Sequence, residues 1–157
     1  MNKKEQVIKI AMKLFIKNWV QSTPMSLISK ESKVWMRTIY KDFQNKDVLI
    51  NEIYLFIKKD QLINVPSLLE DLDTEKSFLF YYEFFIDYWV HNPVYFTFMD
   101  QFINSSIITE ETKRQWYELY INFIKVLEKW QTNWKIKSIS INEITAFITW
   151  SLTWFLR

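Results

Sequence analysis

Glycine is missing from all 157 residues. Average usage near 7% would place about 11 glycines in a chain of this length. Every turn and helix end must therefore form without the residue that adopts a positive φ at no steric cost. Cysteine is also absent, which removes disulfides and thiolate metal sites from consideration and is compatible with a reducing cytoplasm. The single histidine, His91, is too little for a zinc site or a histidine-based catalytic triad. Met1 to Lys9 is too polar for a secretory signal, and no apolar run approaches the roughly 18 residues of a membrane span. No nucleophile–base pair, phosphate loop or metal signature stands out, so the expectation is a protein without enzymatic activity, metal or cofactor.

What the chain does contain is apolar and aromatic. Hydrophobic residues make up 49% of it and aromatic residues 18%, enough for a sizeable core and far from the composition of a disordered chain. One domain of ordinary size fits, as does a small head with a body. Tryptophan occurs eight times, several times where glycine is the physical expectation. Trp19 follows Lys17-Asn18 at a helix end, where a left-handed residue commonly closes a helix. Trp130 and Trp134 bracket Gln-Thr-Asn, and Asn-Gly is a turn signal where Asn-Trp is none. Trp150 and Trp154 have the spacing of a small-xxx-small contact as well as of an aromatic stripe. One reading is that some or all tryptophans are glycines in the natural protein, for instance through a reassigned UGA codon. The other is a tryptophan-rich helical core. The intact mass of the natural protein separates the two.

A net charge of +2 hides an asymmetry: residues 1–50 carry ten Lys/Arg against four Asp/Glu, and residues 51–157 carry ten against fourteen. Phosphate affinity is thereby placed at the N-terminus.

Helical periodicity dominates, and no segment alternates with the two-residue period of a strand. A first helix is expected over about Lys3 to Lys17, with Val7, Ala11, Leu14, Phe15 and Asn18 on one face and Asn2 with Glu5 as a capping box. A second spans about Pro24 to Ser32, with Thr23 as cap and Pro24 at the first helical position. A short third runs from about Trp35 to Asp42. The fourth starts after Asn45, turns Leu49, Ile53, Phe56 and Ile57 inward, and ends near Asp60. Asn64-Val65-Pro66 reads as a linker and Leu72-Asp73-Thr74 as a second break. A very aromatic helix follows from about Thr74 to His91, then one from Pro93 to about Asn104. Thr109 caps a helix reaching about Lys129, and Ser140 with Glu143 forms a capping box for a last helix, about Ile141 to Leu156. His91 is expected to cap carbonyls at its helix end. Glu70, Asp71, Asp73 and Glu75 read as a solvated acidic loop.

Two short helices across a tight turn, followed at once by a third, are the layout of a helix-turn-helix module, which lays one helix in the major groove of DNA. The third helix carries Trp35, Met36, Arg37, Thr38 and Lys41 as candidates for its outer face. Arg37 suits a guanine edge or a phosphate. Lys46 combines a positive side chain with the backbone N–H groups of a helix start, a favourable phosphate site. Thr23 and Lys33 are secondary phosphate candidates.

The string Thr38-Ile39-Tyr40-x-x-Phe43-x-Asn45-Lys46-x-x-Leu49 resembles the TetR family of bacterial transcriptional regulators. So do Ile10, Ala11, Leu14 and Phe15, then Thr23, Met25, Ile28 and Val34. The resemblance covers about residues 7–50, and the remainder matches only through helix lengths, Asn92-Pro93-Val94-Tyr95-Phe96 and the Trp130-Gln131 turn. It implies an all-α protein, with a three-helix DNA-binding head at 1–48 and a helical ligand-binding and dimerisation body at 49–157. It implies that Thr38 and Tyr40 anchor backbone phosphates, and that the body encloses an apolar or aromatic small molecule. Phe78, Tyr82, Phe85, Trp89, Phe98, Phe102, Tyr117 and Tyr120 are the candidates for that pocket.

The departures matter. Family members often have glycine at the places of Trp19, Lys33 and Arg37, a small residue at that of Trp35, and a further C-terminal helix. An end at Arg157 reads as a truncation that weakens dimerisation. The expected function is a homodimeric, cytoplasmic, ligand-responsive repressor on double-stranded operator DNA. The alternative keeps the fold as a ligand-binding or interaction protein without DNA binding. A membrane-surface role is disfavoured, because interfacial helices usually carry a basic face.

Overall fold

The computed structural model describes residues 2–63 and 74–134, together with 140, 143, 146, 147, 151 and 154. The described residues form seven helices and no strand: α1 (Lys3–Asn18), α2 (Met25–Ser32), α3 (Met36–Asp42), α4 (Lys46–Ile63), α5 (Thr74–His91), α6 (Pro93–Phe102) and α7 (Glu110–Trp134).

Local sequence explains most helix ends. Asn2 starts α1 by accepting the Glu5 N–H at 2.8 Å, which satisfies one of the orphan donors of the first turn. Asn45 does the same for α4 through the Val48 N–H at 2.9 Å. Thr109 accepts the Thr112 N–H at 3.2 Å at the head of α7. Asn92 closes α5 by donating from its amide to the Tyr88 carbonyl, and Pro93 then opens α6, where its missing N–H is harmless. Ser140 and Glu143 form the expected reciprocal box, Ser140 N–H to the Glu143 carboxylate and Glu143 N–H to Oγ of Ser140.

Two turns carry the mark of the missing glycine. Trp19 ends α1 at φ 64° and ψ 158°, and Lys33 ends α2 at φ 54° and ψ 27°. The first lies in a region that side chains almost never enter, at a cost on the order of 1–3 kcal/mol. The second is the left-handed position that commonly terminates helices.

Four expectations need correction. Thr23 does not cap α2; its hydroxyl turns back and donates to the Trp19 carbonyl at 2.8 Å, and Pro24 takes the capping position. Helix α4 extends to Ile63 rather than Asp60, and α6 stops at Phe102 rather than near Asn104. Helix α7 continues through the expected Trp130-Gln131 turn to Trp134. Gln-Thr-Asn holds no breaker, and Thr132 donates to the Glu128 carbonyl within the helix. The 64–66 linker, the acidic residues 70–73 and most of the last helix lie outside the described residues.

Helices α1, α2, α3 and the start of α4 close on an apolar centre of Val7, Ala11, Phe15, Ile28, Ile39, Phe43 and Leu49. Helix α4 then leaves the head and packs along α7, while α6 lies against α1 and α5 against both α6 and α7. Asn51 locks this junction. Its amide donates to the Asp47 and Ile107 carbonyls at 2.7 and 2.8 Å, and its carbonyl accepts the Thr109 N–H at 3.0 Å.

Candidate functional site

The head presents α3 at its surface because three inward side chains hold it there. Ile39 and Phe43 are fully buried and Val34 nearly so. Ser29 donates to the Val34 carbonyl at 2.7 Å, pinning the turn between α2 and α3. With that register set, Lys33, Trp35, Arg37, Tyr40 and Lys41 are exposed, and Met36 and Thr38 are half-buried beside them. Trp35 stands out at 83% exposure and Tyr40 at 47%. Among the described residues Lys33, Arg37 and Lys41 make no ion pair. The turn and the short helix therefore combine three unneutralised cations with one hydroxyl and one phenol. Such a surface suits the regularly spaced charges of a phosphate backbone.

Two of the expected contact residues are engaged elsewhere. Thr23 is wholly buried, with its hydroxyl on the Trp19 and Leu14 carbonyls. It fixes the α1–α2 turn and offers nothing to a phosphate, which corrects the sequence reading. Lys46 bends back and donates from its ammonium to the Val20 carbonyl at 2.8 Å. Its side chain ties α4 to the same turn.

In the body the expected pocket residues do not form one group. Phe85, Trp89, Phe98, Phe102 and Tyr120 are buried. Phe98 stacks on Phe102 with centroids 4.5 Å apart, and Trp89 meets Tyr88 and Phe96 edge-on, so these rings are packed core. Tyr82 is half-buried and its hydroxyl pairs with Oγ of Ser151 at 3.2 Å. Tyr117 points outward at 47% exposure, a correction, since Thr112, Trp116 and Tyr120 take the inward side of this part of α7. The Phe78 side chain lies outside the described residues. A small open recess between α1 and α6, lined by Lys13, Ile16, Pro93, Val94 and Thr97, has a volume of about 230 Å³.

Sequence reasoning missed a polar cluster on the facing sides of α4 and α7. The Lys58 ammonium, on a residue 9% exposed, sits 5.1 Å from the Trp116 ring centre, 5.3 Å from that of Tyr120 and 5.9 Å from that of Tyr54. Burial pulls the Lys58 amine down to about 8 and pushes the Tyr54 phenol up to about 12. The Tyr120 phenol is raised as well, first by burial and then by the nearby Tyr54. Tyr120 donates to Oε1 of the fully buried Gln61. Nearby, burial and then a 2.9 Å hydrogen bond to the Asp60 carboxylate raise the Tyr88 phenol. A lysine and a glutamine three apart on a helix read as solvent-facing in a sequence, so no signal marked them.

Comparison with solved structures places this architecture. The chain aligns over 98% of its length with 81% of a TetR family transcription regulator from Marinobacter aquaeolei VT8, at a TM-score of 0.85 and 12% identity. It aligns over its full length with 86% of the TetR family regulator PfmR from Thermus thermophilus, at a TM-score of 0.76 and 19% identity. The all-α fold is thus the fold of solved TetR family regulators. No family model matches the chain, and no curated protein sequence does.

Proposed function

We propose that this chain is a DNA-binding transcriptional regulator of the TetR type. The observation that carries this reading is the outer face of α3 and its leading turn, where Lys33, Arg37 and Lys41 stand exposed and unpaired among the described residues. In this reading α3 enters the major groove, Arg37 meets a guanine edge or a phosphate, and Thr38 with Tyr40 grips the backbone. Lys46 contributes through its main-chain N–H and its hold on Val20. Two copies read a roughly palindromic operator. The body binds a small molecule and shifts the spacing of the heads, by as much as that molecule prefers one state over the other. In the absence of that molecule the dimer represses.

The test is a gel-shift against the DNA upstream of the gene, repeated across salt concentrations. Retention should weaken steeply with salt, and Lys41→Ala should lower the salt slope by about one. A folded protein that fails to retain the fragment even at low salt refutes the reading.

One observation favours a second reading. Trp35 places an exposed indole at the leading end of α3, where a small side chain would allow closer approach to a base edge. In that reading the fold persists without DNA binding, and Trp35→Ser gains retention that the unaltered chain lacks.

A further inference from the structure

The interior between α4 and α7 contains more hydrogen-bond donors than acceptors. Lys58 and Gln61 lie one turn apart on α4, and Trp116 and Tyr120 one turn apart on α7. The Lys58 ammonium is surrounded by rings, and among the described residues it has no carboxylate and no hydrogen-bond acceptor. The Gln61 Nε2 group is buried with no partner among the described residues, and the Trp116 Nε1 group is buried with no well-formed hydrogen bond, only an interaction with the Tyr120 oxygen. The one acceptor on the Gln61 side chain is already taken by the Tyr120 hydroxyl. Buried donors left without acceptors are costly, and native proteins tolerate few of them. Three such donors gathered among the rings between α4 and α7 constitute a half-built polar site.

The missing half can be characterised chemically. It must accept from an ammonium, an amide and an indole at once, which calls for several lone pairs on one small group. A carboxylate offers about four such sites and a compensating charge. A cationic ligand is excluded, since Lys58 already occupies the ring faces that would attract it. A purely apolar ligand would leave all three donors unsatisfied. The rings set around the Lys58 ammonium are those of Tyr54, Trp116 and Tyr120, so the surroundings of the cluster are aromatic.

We propose that Lys58, Gln61 and Trp116 anchor the carboxylate of an effector whose remaining body is apolar, so that the regulator responds to organic acids. This rests on the reading that the body binds a small molecule, and it changes the expected ligand from apolar to acidic. The lowered Lys58 amine agrees with it, because a buried ammonium without an anion gives up its proton early.

Calorimetry on the full chain near neutral pH tests the proposal with two matched sets of probes. These are 2-naphthylacetate with the corresponding alcohol and amine, and decanoate with decanol and decylamine. Each acid should bind at least about tenfold more tightly than its alcohol, equivalent to about 1.4 kcal/mol, with the amine weaker still. Lys58→Met should abolish the preference for acid while leaving alcohol binding in place, and the ligand-free variant should melt at a higher temperature. If that variant does not fold, Trp116→Phe removes only the indole donor and should weaken acid binding alone. Alcohols binding as well as acids, no binding of either acid, an acid preference that survives both variants, or a lower melting temperature for folded Lys58→Met would each overturn the assignment. The same preparations are tested on the upstream DNA. Retention without acid preference removes the ligand class only, and acid preference without retention removes the regulator reading only.

Discussion

The head and the body of this protein are made of the same helices but treat buried polarity in opposite ways. In the head every buried polar group serves the chain itself. Thr23 donates to two carbonyls, Ser32 to the Ser29 carbonyl, and Gln6 to the Ser32 carbonyl at 2.8 Å. In the body Lys58, Gln61 and Trp116 are enclosed with donors that nothing described fully satisfies. The head is finished by its own sequence, as suits the rigid DNA-reading surface proposed for it. The body holds an unsatisfied interior, the condition under which a small molecule gains leverage over a conformational equilibrium.

The largest expected effect lies in the head. Phe15 is fully buried at the centre of the three-helix packing, and Phe15→Ala should cost about 3–5 kcal/mol. The loss should appear as a lower urea midpoint together with loss of DNA retention. A cost below about 1 kcal/mol would mean that the head's centre is no more tightly determined than the body's.

The second effect belongs to the body and depends on pH. The Lys58 amine sits at about 8 in the native chain against an ordinary 10.5. Below pH 8 both states hold the proton, and the penalty of the buried charge is fully present. Between pH 8 and 10.5 the native state loses the proton before the unfolded chain does, so stability should climb by about 3 kcal/mol. Above pH 10 the tyrosines act in the other direction. Tyr54, Tyr88 and Tyr120 keep their protons in the native state after those of the unfolded chain ionise, so stability falls. Urea midpoints at about pH 7, 9.5 and 11 should pass through a maximum, and Lys58→Met should flatten the rising limb. A flat profile in the unaltered protein would show that its ammonium has an anionic partner.

The smallest effect returns to the head, and its sign is unusual. Trp19 holds a backbone conformation native to glycine while its ring is 66% exposed. Trp19→Gly should therefore stabilise by about 1–3 kcal/mol, because little packing is lost and the strain is relieved. A raised melting temperature would also support glycine as the natural occupant there. A lowered one would show that the exposed indole contributes packing. Trp89, by contrast, packs against Tyr88 and Phe96, and a glycine there would leave a cavity.

Much of this architecture could be read before any coordinates, because helix ends are written in short polar signals. Asn2, Thr109, Pro93 and the Ser140–Glu143 pair each mark a boundary through chemistry within four residues. Thr23 misled because a threonine before proline looks like a cap, whereas its hydroxyl found the carbonyl four residues back. The exposure of Arg37 and Lys41 was predictable, since it follows from the inward register of Ile39 and Phe43. Lys46 was not, because whether a lysine faces solvent or reaches a carbonyl 26 residues away depends on how two helices meet. The buried polar cluster escaped for the same reason. Periodicity places Lys58 and Gln61 on a helix, but only the approach of α7 determines that their side of α4 is closed off from water.

Asn51 has one further consequence. A single carboxamide binds its own helix and both sides of the segment leading into α7, so α4 cannot creep past that segment by small degrees. A slight displacement strains all three bonds together, and a larger one releases them together. The joint is therefore built to give way all at once, and in the proposed regulator a signal crossing it would reach the head as a step rather than a slope.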